Sequence, residues 1–277
     1  MEKVSDIISY FKSSLEEAGD KEEVISWAYL SIEYILGFNR SDCILYANNK
    51  LSNLHQLKFQ AIIKELNKQR PIQHILGNCE FYGLPILVNH HVLIPRPETE
   101  ELVNWILKHA FRSALDIGTG SGCIAISLAK HTKAQVSALD ISKEALELAS
   151  KNAIANDVDI TFFSTDILTS KLNKKYDLFV SNPPYLVEKD KRYINANVLD
   201  YEPHLALFTP NNHPLLFYER IISLASVYLN KDGLLFFEIN EKYSKQIIKL
   251  LYGSGFVDIE LKKDINDKDR MIKAILK

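Results

Sequence analysis

Cysteine is scarce in this chain and has no pairing pattern. Cys43, Cys79 and Cys123 are scattered, and none belongs to a Cys-x-x-Cys pair. That excludes a disulfide framework and a cysteine zinc site, and fits a reducing compartment. Long apolar runs are missing too: none approaches the roughly 18 residues that span a bilayer, so no membrane helix is expected. The opening Met1-Glu2-Lys3-Val4-Ser5-Asp6 has no signal-peptide pattern, and a cytoplasmic protein is expected. Nor is there an excess of charge. Lys and Arg number 33, Asp and Glu 35, for a formal net charge of -2. Such a balance exerts no global pull on a polyanion and counts against nucleic acid as partner. Repeats and low-complexity segments are absent. The 277 residues are 47% apolar and 25% charged, ordinary for one large or two small soluble domains. A monomer without a metal is expected.

The first 70 or so residues read as helices only. Val4, Ile7, Ile8, Phe11 and Leu15 recur at helical spacing, and Gly19 can end that helix. Asp20 is placed to cap the next, with Glu23 as capping-box partner, and Gly37 to close it. Ser41 is expected to start a short third helix. A fourth over 53–68 is expected to turn Leu54, Leu57, Ala61, Ile62 and Leu66 inward. These make a small all-α bundle over 1–72. With 9 basic and 11 acidic residues in 1–80, it is no DNA reader, and recognition of a substrate or partner is its expected role. Residues 73–96 read as a β-hairpin linker, two short strands within 81–88 joined at Gly83.

From 97 to 277 the pattern is that of a single α/β domain. Strands are expected at 114–117, 136–140, 160–163, 176–180 and 233–239, alternating with helices, as in a parallel doubly wound sheet. Two more near 256–262 and 270–276 are joined by a polar connector too short for a crossover helix, so they should form an antiparallel hairpin.

Two strand ends carry the chemistry. After the fourth strand comes Ser181-Asn182-Pro183-Pro184-Tyr185. Its prolines cannot donate to a ladder and stiffen the loop just where open α/β sheets place ligands. The Asn182 side-chain carbonyl and the Pro183 main-chain carbonyl could accept both hydrogens of a planar NH2 group, with Tyr185 beside it. An amide or an exocyclic base amine would suit, and an ordinary proline turn is the plain alternative.

After the first strand comes Asp116-Ile117-Gly118-Thr119-Gly120-Ser121-Gly122. Cys123 stands where a dinucleotide fingerprint needs its third glycine, and Asp116 would repel a pyrophosphate but favour a cation. S-adenosylmethionine carries an ammonium, a sulfonium and no phosphate. Asp140 ends the second strand, where it would accept from ribose hydroxyls, and Asp166 follows the third, where it would accept from the adenine amine. A ligand-free turn with solvated carboxylates is the alternative. Arg96 and Glu98 form a surface ion pair or line a site. His90, His91 and His204 are expected to be structural or surface groups, since direct methyl transfer to an amide needs no histidine base.

Taken together, GTGSG, SNPPY, PRPETE at 95–100, LDYEPHLALF at 199–208 and KDINDKDR at 263–270 resemble the release factor glutamine methyltransferases, the PrmC/HemK type, over nearly the whole chain. The resemblance implies a Rossmann-like class I methyltransferase sheet after the helical bundle. It also implies methylation of the glutamine of the Gly-Gly-Gln motif in class I peptide chain release factors, with S-adenosylhomocysteine as product. By motif, Gly118–Gly122, Asp140 and its neighbour Ile141 would bind the donor, with Asp166, Ile167 and Asn182; family members can carry tryptophan where this chain has Ile167. Asn182, Pro183 and Tyr185 would be catalytic, and Pro184, Arg96 and Glu98 would join them in holding the acceptor. Methylation of base amino groups in RNA or DNA, of a ribosomal-protein glutamine, or mere binding without turnover are the other readings.

Overall fold

Three of the N-terminal helices begin where the sequence supplies a side-chain acceptor for their unpaired N–H groups. In this computed structural model, which describes residues 1–277 apart from the side chain of Asn211, α1 spans Asp6–Ser14 and α2 Lys21–Leu36. The Asp20 carboxylate accepts from the amides of Glu22 and Glu23, and Gly37 ends α2 at φ 69°. α3 (Arg40–Leu45) starts one residue ahead of Ser41, because Asn39 and Asp42 form a reciprocal capping box. Ser52 caps α4 (Asn53–Leu66) through the amide of His55. A further short helix, α5 (Ile72–Leu76), occupies residues expected to begin the linker.

The inward face of α4 differs from the expectation. Phe59, Ile62, Ile63 and Leu66 are buried against Ile7, Phe11, Val24, Ala28 and Ile32, whereas Leu54, Leu57 and Ala61 are exposed. Phe59 supplies a larger apolar area than either leucine, and it sets the buried stripe through its i+3, i+4 and i+7 neighbours. α1 stops at Ser14, five residues before Gly19.

Contacts divide the chain into Met1–Gly77 with Asn195–Tyr201, and Asn78–Ile194 with Glu202–Lys277. In the second unit β1 (Asn78–Phe81) and β2 (Leu84–Leu87) pair antiparallel. Their two-residue turn has Tyr82 and Gly83 both at positive φ, 51° and 72°, the conformation a tight hairpin requires. α6 (Pro97–Ile106) opens on Pro97, whose missing N–H costs nothing at that position. The sheet then follows as β3 (Ser113–Ile117), α7 (Cys123–His131), β4 (Gln135–Asp140), α8 (Lys143–Ala155), β5 (Ile160–Ser164) and β6 (Tyr176–Ser181). The long stretch after β6 holds α9 (Ala196–Tyr201), which belongs to the first unit, and α10 (His204–Leu207). The chain ends with α11 (Leu216–Tyr228), β7 (Leu229–Glu238), α12 (Ser244–Gly253), β8 (Phe256–Lys263) and β9 (Asp269–Leu276).

Strand order is β5-β4-β3-β6-β7-β9-β8, parallel through β7, with β9 antiparallel to both β7 and β8. The expected hairpin therefore forms, and its second strand is the one that joins the sheet. One face is covered by α6, α7 and α8 with the β1–β2 hairpin, around Leu102, Ile106, Ile126 and Phe236. The other is covered by α11 and α12, around Tyr218, Ile221, Ile247 and Phe237. Buried on both faces, β3, β4 and β6 are nearly continuous apolar runs, as parallel strands should be. From β3 the chain winds outward through β4 to β5, then returns to β6 on the other side of β3. That reversal opens a crevice at the carboxyl ends of β3 and β6, a topological switch point.

Candidate active site

The crevice is a cavity of about 770 Å³. Its first wall is the turn after β3. The amides of Gly118 and Thr119 both donate to Leu139 O, at 2.9 and 3.0 Å, and hold the turn against the end of β4. Gly118 and Gly120 have φ of 74° and 54°, and a Cβ built on either meets no atom within 4 Å. These two glycines leave an open cradle. Gly122 serves packing instead. A Cβ there would stand 3.0 Å from Ala149 Cβ, so its lack of a side chain admits α8. Asn152 of α8 locks the arrangement by donating to Ser121 O and Leu87 O, both at 2.9 Å.

The carboxylates are handled differently from one another. Asp140 lines the cavity. Its Oδ2 accepts from Gly120 N at 2.9 Å and its Oδ1 from Ser142 N at 3.0 Å, which leaves lone pairs on each oxygen for a ligand. Burial nonetheless raises it above the usual carboxylate range. Asp166 lines the cavity too, with Oδ1 taken by the amide of Leu168 in its own turn. Asp116 is 1% exposed and stands behind the turn, off the cavity wall. Its Oδ2 accepts from Thr119 Oγ1 at 2.6 Å and Ala125 N at 3.3 Å, while its buried Oδ1 has no partner. Burial pushes Asp116 up to about 7. Thr119, Ser121, Ile141 and Ile167 are at the wall; Gly122 is not.

The second wall combines Asn182, Pro183 and Pro184 with two distant segments. Pro95, Arg96 and Thr99 come from the start of α6, and Pro203–Ala206 with Phe208–Pro210 from around α10. Leu186 fastens the latter: its amide donates to Leu207 O at 3.0 Å, and Thr209 N donates back to Leu186 O at 2.8 Å. Arg96 and Glu98 form no ion pair. Arg96 Nη2 instead meets Glu202 Oε1 at 2.5 Å, and the second oxygen of Glu202 accepts from Ile94 N at 3.1 Å. The reason is burial: the Glu202 side chain is 1% exposed and needs a cation, whereas Glu98 has the exposed Asn266 beside it at 3.5 Å.

Tyr185 is absent from the wall as well. It packs against the core cluster that holds Tyr218, and burial pushes its hydroxyl up to about 12. Of the histidines, His91 and His204 reach the cavity and His90 does not. Residue-type reasoning misses Glu202, Thr99, Phe208 and Phe217, whose place depends on contacts far apart in the chain. The Tyr-Glu-Pro segment is the one local signal for Glu202. Among the described residues no cluster of His, Cys, Asp and Glu could hold a metal, and no helix is long and apolar enough to cross a membrane.

Known proteins share both parts of the chain. The profile described as "Methyltransferase small domain" matches residues 97–200, and "PrmC N-terminal domain" matches 6–77. A protein named release factor glutamine methyltransferase from Flavobacterium psychrophilum is 47% identical over 273 residues, covering 95% of this chain and 96% of that one. One of the same name from Bacteroides thetaiotaomicron is 43% identical, covering 97% and 98%. The crystal structure of a methyltransferase from Pyrococcus furiosus matches with a TM-score of 0.55 at 18% identity, over 70% of this chain and 90% of that one, which shows a shared fold. With relatives this similar along nearly its entire length, and with the sheet and cavity described above, the chain belongs to the release factor glutamine methyltransferase family.

Proposed function

We propose that this protein moves a methyl group from S-adenosylmethionine to the side-chain amide nitrogen of the glutamine in the Gly-Gly-Gln motif of class I peptide chain release factors. The observation that carries the reading is that one cavity is walled on one side by the glycine turn with Asp140, and on the other by Asn182-Pro183-Pro184. The residues fit the donor. Gly118 and Gly120 leave room for it, Asp140 keeps acceptors for two ribose hydroxyls, and Ile141 and Ile167 offer apolar surfaces to a base. Asp116, buried behind the turn, adds negative potential to that cradle when ionised, which an ammonium favours. When bound, S-adenosylmethionine supplies an electrophilic methyl group.

This chain's own residues would do the rest. Asn182 Oδ1 and Pro183 O accept the two amide hydrogens and turn the nitrogen lone pair towards the methyl. As positive charge grows on that nitrogen both hydrogen bonds strengthen, so they favour the transition state over the ground state. Pro183 and Pro184 keep the loop stiff, and Tyr185 supports it from behind. Arg96 and Glu202 brace the same wall, Glu98 stands outside it, and the largely apolar enclosure excludes water. The helical unit contributes recognition of the protein substrate, for which Ile44, Leu45, Leu54 and Leu57 are exposed. A cytoplasmic monomer acting on protein accords with three free cysteines and balanced charge. The test is incubation with tritiated donor and a release factor, intact or substituted at the Gly-Gly-Gln glutamine. Label is expected on the intact factor alone; label persisting on the substituted one overturns the assignment, and label on a ribosomal protein instead reassigns the substrate.

A further inference from the structure

A second buried carboxyl stands beside the cavity. Glu238 ends β7 and is 3% exposed. Its Oε2 accepts from Thr99 Oγ1 at 2.6 Å, and Thr99, itself 3% exposed, lines the cavity next to Arg96. The ladder aligns Ser181 of β6 with Phe237 of β7, so Asn182 and Glu238 leave neighbouring strand ends in step. The carboxyl therefore sits one hydroxyl away from the wall that carries the Asn182 loop.

We propose that Thr99 and Glu238 form a relay that takes the proton from the acceptor nitrogen, with Thr99 receiving it and Glu238 receiving the proton of Thr99. This rests on the amide-methylation reading above and supplies the proton acceptor that reading lacks. The nitrogen lone pair forms the new N–C bond as the bond from the methyl carbon to its leaving sulfur breaks, with that electron pair staying on sulfur. One N–H proton passes to Thr99 Oγ1 while the Thr99 proton passes to Glu238 Oε2. The amide ends neutral and Glu238 ends protonated, to be discharged to solvent once product departs.

The surroundings suit a base working near neutrality. Burial pushes Glu238 up to about 7, and Glu98 at the start of α6 pushes the same way, while the Thr99 hydrogen bond, Arg270 from β9 and Arg96 oppose it. Tyr185 behind the Asn182 loop faces the same carboxyl, and Tyr218 of α11 donates to the Glu238 main-chain oxygen at 3.1 Å. A general base is most effective when its pKa lies near the working pH.

The experiment is single-turnover methylation of a release factor across about pH 5–9, with an infrared titration of the donor-free protein. In the wild type the rate should rise with pH and level off above about 7. Glu238→Gln keeps the shape and an acceptor for Thr99. It should lose that limb and about 100-fold in rate, with donor binding by calorimetry unchanged. The infrared difference between wild type and Glu238→Gln should contain a protonated-carboxyl band that titrates away near pH 7. Thr99→Ser should retain the rate and Thr99→Val should lose it, which decides the matter even if Glu238→Gln does not fold. A limb that survives in Glu238→Gln, or a normal rate in Thr99→Val, overturns the relay alone. Failure of the wild type to label the glutamine overturns the amide reading and the relay with it.

Discussion

The two walls of the cavity are built at different ranges. The glycine turn itself lies within Asp116–Ser142, and the hydrogen bonds that shape it join one β-α-β unit: Gly118 to Leu139, Gly120 to Asp140, Thr119 to Asp116, with Asn152 of the next helix bracing Ser121. The facing wall is held by Arg96 to Glu202, Thr99 to Glu238 and Leu186 to Leu207, and two of those three pairs join residues more than 100 positions apart. A wall made by one local unit survives damage elsewhere; a wall made by distant segments exists only when all of them are docked. Donor binding should therefore persist through changes that remove acceptor handling, and the converse should fail.

The sharpest test is Asn182→Ala. Loss of one preorganised partner of a developing charge costs about 100- to 1,000-fold in kcat, and donor affinity by calorimetry should remain. Equal losses in both would dissolve the distinction between the walls. Next is Glu202→Gln, which keeps an acceptor for Ile94 N but removes the charge that faces Arg96. Stability in urea should fall by about 2 kcal/mol, the worth of a hydrogen bond to a charged group, and the KM for release factor should rise while donor affinity stays put. Smaller still is a contrast within the first wall. Alanine at Gly118 or Gly122 meets a left-handed backbone that costs roughly 1–2 kcal/mol. Gly122→Ala adds crowding against Ala149 at 3.0 Å and Ile126 at 3.1 Å, so it should lower Tm further. Gly118→Ala, with nothing nearby to meet, should instead weaken donor binding.

The same difference of range explains how much the sequence reveals. Strands β3 to β6 and their helices can be read nearly to the residue, because apolar runs, the Ser142 cap and the glycine turn are local signals. The Asn-Pro-Pro loop can be read for the same reason. Arg96 cannot be paired correctly: its partner is 106 residues away, and the Tyr-Glu-Pro segment marks Glu202 without saying that it, and not the nearer Glu98, meets Arg96. The buried face of α4 escapes such reading because Leu54 and Leu57 fit a helical stripe as well as Phe59 does, and only the packing of α1 and α2 chooses between the stripes. Adjacency to Pro184 suggests a place at the cavity for Tyr185, yet its ring packs against the core cluster on the α11 and α12 side of the sheet.

The smallest expected effect concerns protons stored in each wall. Asp116 behind the first wall and Glu238 behind the second are both pushed up to about 7 by burial, and Asp140 is raised as well. A carboxyl whose folded value lies above its unfolded one binds more protons in the folded state between the two. Its stabilising contribution is fully present below about pH 4, declines as pH rises, and is gone above about 7. Urea-unfolding free energy should therefore fall between those limits, and either Asp116→Asn or Glu238→Gln should make the decline shallower. The two variants should then part. A bound cation favours ionised Asp116, so wild-type donor affinity should strengthen as pH rises through 7, and Asp116→Asn should remove that dependence while Glu238→Gln leaves it. If Glu238→Gln also flattened the pH dependence of donor affinity, the two walls would share one electrostatic unit, and their independence would be lost.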